Sequence, residues 1–334
     1  MPRPSVPACQ VVFLDAGTLP CGLPFDQYLD APLLSQLAYQ AHERTAPAEV
    51  AARVAQAEVV VTNKVRLGAE LLAQAPRLKR ICIAAAGMDN VDLQAARSLG
   101  ITVHNVPDYG SDSVAEHVLA TLLALCRHLA TYSAAATDGR WSASPHFCWH
   151  GPRILPVGGS TLGIVGRGRI GQATARLAQG LGMRVLFAQR PGREAAEDER
   201  PLDDLLAQCD AISLHVPLTP DTRGLIDTRR LALMKPDAVL INTGRGALVD
   251  PHALVAALRA QRLAGAAIDV LEVEPPPPDH PLLAPGTPNL LLTPHVAWAS
   301  EQAQQRLAAR LAEQVAQHLR ERATQVQAQQ PGAA

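Results

Sequence analysis

Residues 161–171 read TLGIVGRGRIG, and this segment is the most informative part of the chain for predicting its fold. It contains the spacing G-x-G-x-x-G, after an apolar run of strand character and before a segment of helical periodicity. The first glycine permits a tight turn, the second lets the backbone approach a pyrophosphate, and the third lets helix and strand pack closely. Strand, loop and helix in this order predict a dinucleotide-binding loop, against the alternative of a glycine-rich packing turn. The predicted cofactor-binding residues in it are Gly166, Gly168, Arg169, Ile170 and Gly171.

The end of the next predicted strand bears on which dinucleotide fits. The dinucleotide fingerprint has a carboxylate about 20 residues after the loop, where it binds the adenosine ribose. Gln189 stands there instead, and Arg190 and Arg193 follow. A carboxylate would repel a 2′-phosphate, whereas Arg190 can pair with one; the alternative is that both arginines are ordinary solvated charges. We therefore expect NAD(P)H as the cofactor. NADPH is expected to be accepted, and it is a candidate for the preferred form.

The rest of the chain alternates apolar runs with helical periodicity, which is the pattern of βαβ units and parallel sheets. A first series has predicted strands at residues 10–15, 58–62, 79–84 and 101–104 and predicted helices at 47–57, 68–74 and 92–99. A second series has predicted strands at 161–165, 184–188, 211–215, 238–242, 265–268 and 289–293. Its predicted helices are 169–181, 202–208, 227–233 and 251–261, and a last helix covers 300–322. Two successive α/β series predict two similar domains.

Composition excludes several classes of protein. The 334 residues, 48% hydrophobic and 18% charged, suffice for about two domains and exclude a disordered or fibrous chain. A net charge of -1 and 3% aromatic residues do not fit a nucleic-acid binder. The six cysteines lie far apart, without metal-ligand spacing, so we expect reduced thiols and no metal site. Because neither a signal peptide nor a membrane span is predicted, we expect a soluble cytoplasmic protein.

A long helix is predicted between the two series. Residues 113–116, SVAE, match a capping box, and apolar residues then recur at helical spacing to about Ala136. Residues 137–159, here called the arm, are rich in Gly, Pro, Trp and His, and such irregular segments in compact chains are usually functional. The run PHFCWH at 145–150 would be exposed on a monomer. We therefore expect a homodimer with this helix and the arm at its interface.

Three polar segments follow three predicted strands of the second series. They are LINTGRGALVD with Arg245, AIDVLEVEP with Asp269 and Glu274, and LTPHVAW with His295. In open α/β sheets ligands bind beyond the carboxyl ends of the strands. All three segments are therefore expected to face one crevice together with the cofactor.

Taken together, these motifs resemble the D-2-hydroxyacid dehydrogenase family over nearly the whole chain. The resemblance rests on AGMDNVD (86–92), SVAEH (113–117), the glycine-rich loop, VPLTP (216–220) and the segments of Arg245, Glu274 and His295. Within the family the chain is most similar to the glycerate dehydrogenase (hydroxypyruvate reductase) group, through TNKV (62–65), GRW (139–141), FC (147–148) and HVAW (295–298). The resemblance implies reversible reduction of a small 2-oxo acid, hydroxypyruvate or glyoxylate, by NAD(P)H to the D-2-hydroxy acid.

The resemblance also implies a domain organisation of two Rossmann-like domains with a cleft between them. Residues 1–105 and 296–334 would form a flavodoxin-like substrate domain. Residues 106–295 would form a doubly wound NAD(P)-binding domain, which includes the dimerisation helix and arm at 113–159.

Individual roles follow from the same resemblance. His295 would be the general acid–base that protonates the carbonyl oxygen, a task suited to a group that changes charge near neutral pH. Glu274 would bind the imidazole and favour its protonated form, and Arg245 would clamp the substrate with a planar bidentate donor. Further implied substrate-binding residues are Asn63, Lys64, Ala86, Gly87 and Trp298. Further implied cofactor-binding residues are Pro217, Thr243, Gly244 and Asp269; at Gly244 the family usually has alanine.

Alternatives remain open for the residues and for the function. His295 could be a structural buried histidine, and Glu272 could take the place assigned to Glu274. Trp298 either closes the far end of the substrate pocket, which would favour short acids, or packs into the interdomain core. The competing functions are a dehydrogenase for another small 2-oxo acid and a catalytically silent dinucleotide-sensing protein.

Overall fold

The computed structural model describes residues 8–190 and 192–328. The chain divides into two compact units: unit 1 comprises the residues up to Tyr109 and those from Ser300 onward, and unit 2 comprises the residues from Gly110 to Ala299. Each unit contains one parallel β-sheet combined with α-helices. The predicted fold class, two Rossmann-like α/β domains, is therefore confirmed.

Strands and helices alternate along both units. Those up to Tyr109 are β1 (Cys9–Phe13), α1 (Ala31–Leu34), β2 (Leu37–Ala41), α2 (Val50–Val54), β3 (Val59–Thr62), α3 (Ala69–Ala73), β4 (Arg80–Ile83), α4 (Leu93–Ser98) and β5 (Thr102–His104). Those of unit 2 are α5 (Ser111–Cys126), α6 (Leu129–Thr137), β6 (Thr161–Val165), α7 (Arg169–Gly180), β7 (Arg184–Ala188), β8 (Glu199–Arg200), α8 (Leu202–Gln208), β9 (Ala211–Leu214), α9 (Thr228–Leu233), β10 (Val239–Asn242), α10 (Pro251–Arg259), β11 (Gly265–Ile268) and β12 (Leu290–Leu292). Unit 1 ends with α11 (Glu301–Ala328).

The sheet of unit 1 has the strand order β2-β1-β3-β4-β5, with every neighbouring pair parallel. The order reverses between β1 and β3, which is the flavodoxin-like arrangement. β1, β3 and β4 are almost entirely buried, as expected for Val- and Ile-rich runs covered on both faces. β2 is not predicted from the sequence, because this edge strand is half exposed and mixes Leu and Ala with polar residues.

The sheet of unit 2 has the order β12-β11-β10-β9-β6-β7-β8 and is also parallel throughout. Its order reverses between β6 and β9, as in a doubly wound dinucleotide-binding fold. Alternate residues of the central strands supply two cores on opposite faces: Leu240 packs with α8, α9 and α10, whereas Val239 and Ile241 pack with α5 and α7. The two-residue strand β8 was not predicted.

The long helix that the sequence predicts from Ser113 is two helices. α5 already begins at Ser111, and α6 follows a break at His128, whose φ of 50° lies in the left-handed region. The predicted capping box is wrong because Ser113 lies inside α5, where its hydroxyl donates a hydrogen bond to the carbonyl oxygen of Ala297 at 2.7 Å.

Within the described ranges, none of the helices is by itself long and apolar enough to cross a membrane. The pair α5 and α6 reaches the required length and composition only when taken together, and it is bent by 56°.

Candidate active site

The glycine-rich loop lies where the strand order of unit 2 reverses, between the carboxyl ends of β6 and β9. Gly166 has a φ of +113°, and a Cβ there would lie 2.5 Å from the carbonyl oxygen of His215, the residue after β9. A Cβ on Gly171 would lie 2.0 Å from the carbonyl oxygen of Gly166. Both positions therefore require glycine. A Cβ on Gly168 would meet no atom within 4 Å, so the outer side of the loop is open to an approaching group.

This loop fits the phosphates of a dinucleotide. Gly168 is the N-cap of α7 and has no side chain that could cap the first-turn amides, which can then bind an anion at the positive end of the helix. Arg169 and Ile170 form the first turn of α7. Arg169 is exposed, and Ile170 packs against the core between α5 and α7.

The other predicted cofactor-binding residues lie along the same edge of the sheet. Thr243 directly follows β10, and its buried hydroxyl has no hydrogen-bond partner among the described residues. An orphaned buried hydroxyl of this kind fits a polar group of a ligand. Gln189 continues the ladder beyond β7, and its side-chain amide donates to the carbonyl oxygen of Arg193 at 2.9 Å. Arg190 is exposed, and the carbonyl oxygen of Pro217 accepts a hydrogen bond from Thr222 at 2.7 Å.

His215 is a histidine without a predicted role that the fold places beside the loop. Its Nε2 lies 2.9 Å from the hydroxyl oxygen of Ser213 on β9 and 3.5 Å from that of Thr174 on α7. Burial of the ring lowers the pKa of His215 to about 4, because desolvation disfavours the charged form. The neutral imidazole therefore joins β9 to the helix that follows the glycine-rich loop.

His295 and Glu274 form a direct pair. The Nδ1 of His295 lies 2.6 Å from Oε2 of Glu274, and since a carboxylate only accepts, Nδ1 carries the hydrogen. The other carboxylate oxygen accepts a hydrogen bond from the amide of Leu271 at 2.8 Å, which orients it. Glu272 points elsewhere and pairs with Arg223 at 2.8 Å. The His295 side chain is 26% exposed, which leaves Nε2 as the nitrogen available for proton transfer.

Asp269, directly after β11, holds the backbone on both sides of His295. Its carboxylate accepts hydrogen bonds from the amides of Val296 and Ala297, each at 2.9 Å, and its carbonyl oxygen accepts from the amide of His295 at 2.8 Å. His295 has a φ of 55°, a strained conformation for a residue with a side chain, and these bonds stabilise it. The Asp269 carboxylate is thus engaged with this segment, and its contact with a cofactor stays a prediction.

A further layer of support comes from Thr293 and from two residues of α5, none of which was predicted to contact this segment. The hydroxyl of Thr293 donates to Asp269 at 2.5 Å and lies 3.2 Å from Nε2 of His117. His117 and Ser113, which binds the carbonyl oxygen of Ala297, lie one turn apart on α5. The spacing S-x-x-x-H shows that both lie on one helix face. It does not show which distant segment that face contacts.

Arg245 lies in the turn after β10, as predicted. The buried Asn242 organises this turn: its side-chain oxygen accepts from the amide of Gly244 at 3.0 Å, and its amide donates to the carbonyl oxygen of Arg245 at 2.9 Å. The Arg245 guanidinium donates to the carbonyl oxygen of Gly244 at 2.9 Å. β10, β11 and β12 are parallel neighbours, so Arg245, Asp269 and His295 follow strands that end at the same edge.

Trp298 contacts both the core and the His295 segment. It is half buried and packs against the core between α5 and α7. Its indole N–H donates to the carbonyl oxygen of His295 at 3.0 Å. This packing lies within unit 2, so the interdomain packing that was the alternative and the size limit on the substrate both stay predictions.

The predicted substrate-binding residues of unit 1 follow its strands β3 and β4. The buried carboxylate of Asp15 accepts hydrogen bonds from the amide of Asn63 at 2.9 and 3.1 Å and from the amide of Lys64 at 2.7 Å. The carbonyl oxygen of Ala86 accepts from the side chain of Asn105 at 2.6 Å, and Gly87 is half buried. Asp15 was not identified from the sequence, where it is one acidic residue after an apolar run.

One group of potential metal ligands occurs in unit 1, and its surroundings disfavour a cation. Ligand atoms of Cys9, Glu58 and His318 lie within 4.8 Å of one another. Burial raises the pKa of the Cys9 thiol to about 12, and the carboxylate of Glu58 already pairs with Arg77 at 3.6 Å and Arg322 at 3.1 Å. The expectation of no metal site stays a prediction.

Comparison with known proteins relates this geometry to a family. Residues 119–297 match the family model described as D-isomer specific 2-hydroxyacid dehydrogenase, NAD binding domain. The matched range contains the glycine-rich loop together with Arg245, Glu274 and His295.

Curated relatives and solved structures match over most of the chain. A glycerate dehydrogenase of Methylorubrum extorquens is 43% identical over 83% of this chain and 88% of its own length. A hydroxypyruvate reductase of Blautia hydrogenotrophica is 37% identical over 78% of this chain and 81% of its own. The structure of an NADPH-dependent glyoxylate/hydroxypyruvate reductase of Sinorhizobium meliloti, in complex with NADP and malonate, superimposes with a TM-score of 0.75 at 29% identity, covering 92% of each chain.

Proposed function

Because the chain belongs to the D-isomer specific 2-hydroxyacid dehydrogenase family, we propose that it reduces hydroxypyruvate or glyoxylate to the D-2-hydroxy acid, reversibly. The observation that carries this proposal is the His295–Glu274 pair at the sheet edge that also holds Arg245 and the glycine-rich loop. The names of the relatives, glycerate dehydrogenase and hydroxypyruvate reductase, support the substrate class. A small polar 2-oxo acid also suits a site whose chemistry rests on one imidazole and one guanidinium.

His295 is proposed as the general acid of the reduction. Nδ1 donates to Glu274, so Nε2 of the protonated ring can give its proton to the carbonyl oxygen as negative charge develops there. The Glu274 carboxylate stabilises the imidazolium and holds the ring in one orientation. In the reverse direction the neutral ring accepts the hydroxyl proton. Asp269 and Trp298 restrain the backbone of His295, so that the ring is positioned before substrate arrives.

Arg245 is proposed to bind the substrate carboxylate and polarise its carbonyl. A guanidinium presents a planar pair of donors that matches a 2-oxo carboxylate, which a lysine ammonium does not. The hydrogen bonds of Asn242 hold the backbone from which this side chain extends. Arg245 would thereby place the carbonyl carbon within reach of the cofactor.

NAD(P)H is the proposed cofactor, with NADPH as the preferred form, and it supplies the hydride. The glycine-rich loop would hold its pyrophosphate, and the orphaned hydroxyl of Thr243 would bind a polar group of the dinucleotide. Support for NADPH comes from Gln189, which stands where NAD-binding proteins have a carboxylate. Further support is the relative described as an NADPH-dependent glyoxylate/hydroxypyruvate reductase.

We also propose a homodimer formed through α5, α6 and the arm. Phe147 is 92% exposed, Leu129 54% and Trp141 50%, and large apolar side chains exposed to this degree are typical of an interface. Hydrogen bonds give the arm a defined conformation: the indole N–H of Trp141 donates to the carbonyl oxygen of Phe147 at 3.0 Å, and the hydroxyl of Tyr132 on α6 donates to the carbonyl oxygen of Pro152 at 2.8 Å. Light scattering at micromolar concentration should give the mass of a dimer; a monomer refutes this interface.

A cytoplasmic location is proposed as well. The structure describes all six cysteines as free thiols. Reducing compartments keep thiols in this state, whereas secreted domains of small size usually carry disulfides.

The function is tested by following the absorbance of NADPH with hydroxypyruvate and with glyoxylate. The wild type should oxidise NADPH with both acids. Glu274→Gln should reduce turnover about tenfold at neutral pH, because an amide stabilises the imidazolium less than a carboxylate does. Glu272→Gln is the matched control and should behave as wild type, since Glu272 pairs with Arg223. A wild type that binds NADPH but reduces neither acid refutes the proposal.

A further inference from the structure

Arg167 is the residue between the first two glycines of the loop, and its side chain crosses β7. Its Cζ lies 4.4 Å from the ring centroid of Phe187, so the guanidinium lies on the face of an aromatic ring and is held there by a cation–π contact. Phe187 and Gln189 are two residues apart on an extended backbone, so their side chains project from the same face. The guanidinium therefore lies beside the position where a Rossmann fold binds the adenosine ribose.

Two acidic residues of the neighbouring edge hold this guanidinium. Its two terminal nitrogens donate to the two oxygens of Asp198 at 2.8 and 2.9 Å, and one of them also lies 3.3 Å from Glu199. Hydrogen bonds from Arg167 lower the pKa of Asp198 below its ordinary value, so the pair is an ion pair. The Arg167 side chain is 40% exposed. It thus presents a bidentate anion site that a carboxylate of the same chain occupies and that solvent can reach.

The surrounding charges favour an anion that carries more negative charge than a carboxylate. Arg193 also pairs with Glu199, so two guanidiniums share two carboxylates. Arg190 is exposed at the same corner. A phosphate monoester carries close to two negative charges and three acceptor oxygens, and so binds a guanidinium better than one carboxylate does.

We propose that Arg167 determines the preference for NADPH, because its guanidinium exchanges the Asp198 carboxylate for the 2′-phosphate of the adenosine ribose. This inference rests on the proposed NADPH-dependent function and adds to it a specific residue outside the strand end that the sequence analysis considered. Asp198 acts as a competitor that holds the guanidinium over Phe187 and yields it to the phosphate. NADH, which has a hydroxyl at this position, leaves the Arg167–Asp198 pair intact.

The test is equilibrium binding of NADPH and of NADH, followed by the fluorescence of the nicotinamide without any substrate. Arg167→Gln should raise the Kd for NADPH about tenfold or more, because charge-assisted hydrogen bonds to the 2′-phosphate are lost. The Kd for NADH should change by less than about twofold, because its 2′-hydroxyl makes no such bonds. Arg176→Gln, the same change of charge at an exposed site of α7, is the control and should leave both affinities as in wild type. Asp198→Asn should strengthen NADPH binding, because the competitor is removed.

The double variant Arg167→Gln with Asp198→Asn separates a direct contact from a mere change of charge. If Arg167 binds the phosphate, the affinity of the double variant for NADPH stays well below that of wild type. Recovery of wild-type affinity in the double variant overturns the inference, as does an equal loss for both cofactors in Arg167→Gln or a weaker NADPH complex in Asp198→Asn. A wild type that binds NADPH no more tightly than NADH overturns it too. These readouts need no turnover, so an inability to reduce hydroxypyruvate would refute the proposed reaction and leave this result standing.

Discussion

The two sheets reverse their strand order in the same way, yet the chain treats the two reversal points differently. In unit 1 the point lies between β1 and β3, and the chain fills it with its own anion: the buried carboxylate of Asp15, which accepts from the amides of Asn63 and Lys64. In unit 2 the point lies between β6 and β9, where Gly166 and Gly168 leave the loop open. Backbone amides that converge at such a point favour negative charge.

This difference shows that strand order alone does not make a binding site. A side chain that can reach the amides closes the site, and glycines that cannot reach them keep it available. The catalytic candidates of unit 2 accordingly follow β10, β11 and β12 beside the open point, whereas Asp15 serves to hold a turn. The comparison leads to four predictions.

The largest effect, on turnover, is expected in unit 2 from His295→Ala. Turnover should fall about 100-fold or more, because general acid catalysis contributes that much. Affinity for NADPH should stay near that of wild type, since the pyrophosphate loop is unchanged. Stopped-flow turnover and a binding titration measure the two quantities. His252→Ala, an exposed histidine of α10, is the control. Lost cofactor binding with preserved turnover would contradict the assigned role.

At the reversal point of unit 1, which the carboxylate of Asp15 fills, Asp15→Asn should lower the stability of the folded chain. The amide keeps one acceptor oxygen but brings an NH₂ group towards the amides of Asn63 and Lys64, so the free energy of unfolding should fall by about 2 kcal/mol. Urea unfolding measures it, with the exposed Asp26→Asn as the control. NADPH affinity should not change. If the two variants are equally stable, the carboxylate at this reversal point is not structural.

A smaller effect, dependent on pH, is expected from His215 beside the open loop. Its pKa in the folded chain is about 4, below the ordinary 6.5, so between these values the unfolded chain binds a proton that the folded chain excludes. The free energy of unfolding should therefore fall as the pH drops from 6.5 towards 4, with a slope of at most about 1.4 kcal/mol per pH unit from this group. His215→Gln should lose that part of the slope. The exposed His252→Gln should keep the wild-type slope, and an unchanged slope in His215→Gln would show that this ring titrates normally.

The smallest effect concerns substrate size and Trp298. If the indole closes the pocket, Trp298→Ala should raise the kcat/KM ratio of larger 2-oxo acids to hydroxypyruvate about fivefold, which is roughly 1 kcal/mol, the lower end of what pocket contacts contribute. Trp298→Phe keeps the ring but removes the bond to the carbonyl oxygen of His295. It should therefore lower turnover on all acids without changing the ratio. A ratio that is equal in wild type and Trp298→Ala would place Trp298 in the core alone.

Much of the fold follows from local pattern, because buried parallel strands are continuous apolar runs and α/β helices are amphipathic. For this reason β6, β7 and β11 begin and end where the sequence predicts. The exceptions are elements that depend on their neighbours. The edge strand β2 pairs with β1 although half exposed, and the break between α5 and α6 occurs at His128, where the sequence carries no glycine or proline.

By itself the sequence determined the dinucleotide loop, the alternation of strands and helices, and the ends of the strands that carry Arg245, Glu274 and His295. These features depend on residues close together in the chain, whose spacing directly reflects a turn or a period. Only the tertiary structure decided that Glu274 rather than Glu272 binds His295, that Asp269 and His117 support that segment, and that Asp15 fills one reversal point. Such contacts join residues tens to hundreds of positions apart, and the packing of whole strands and helices brings them together.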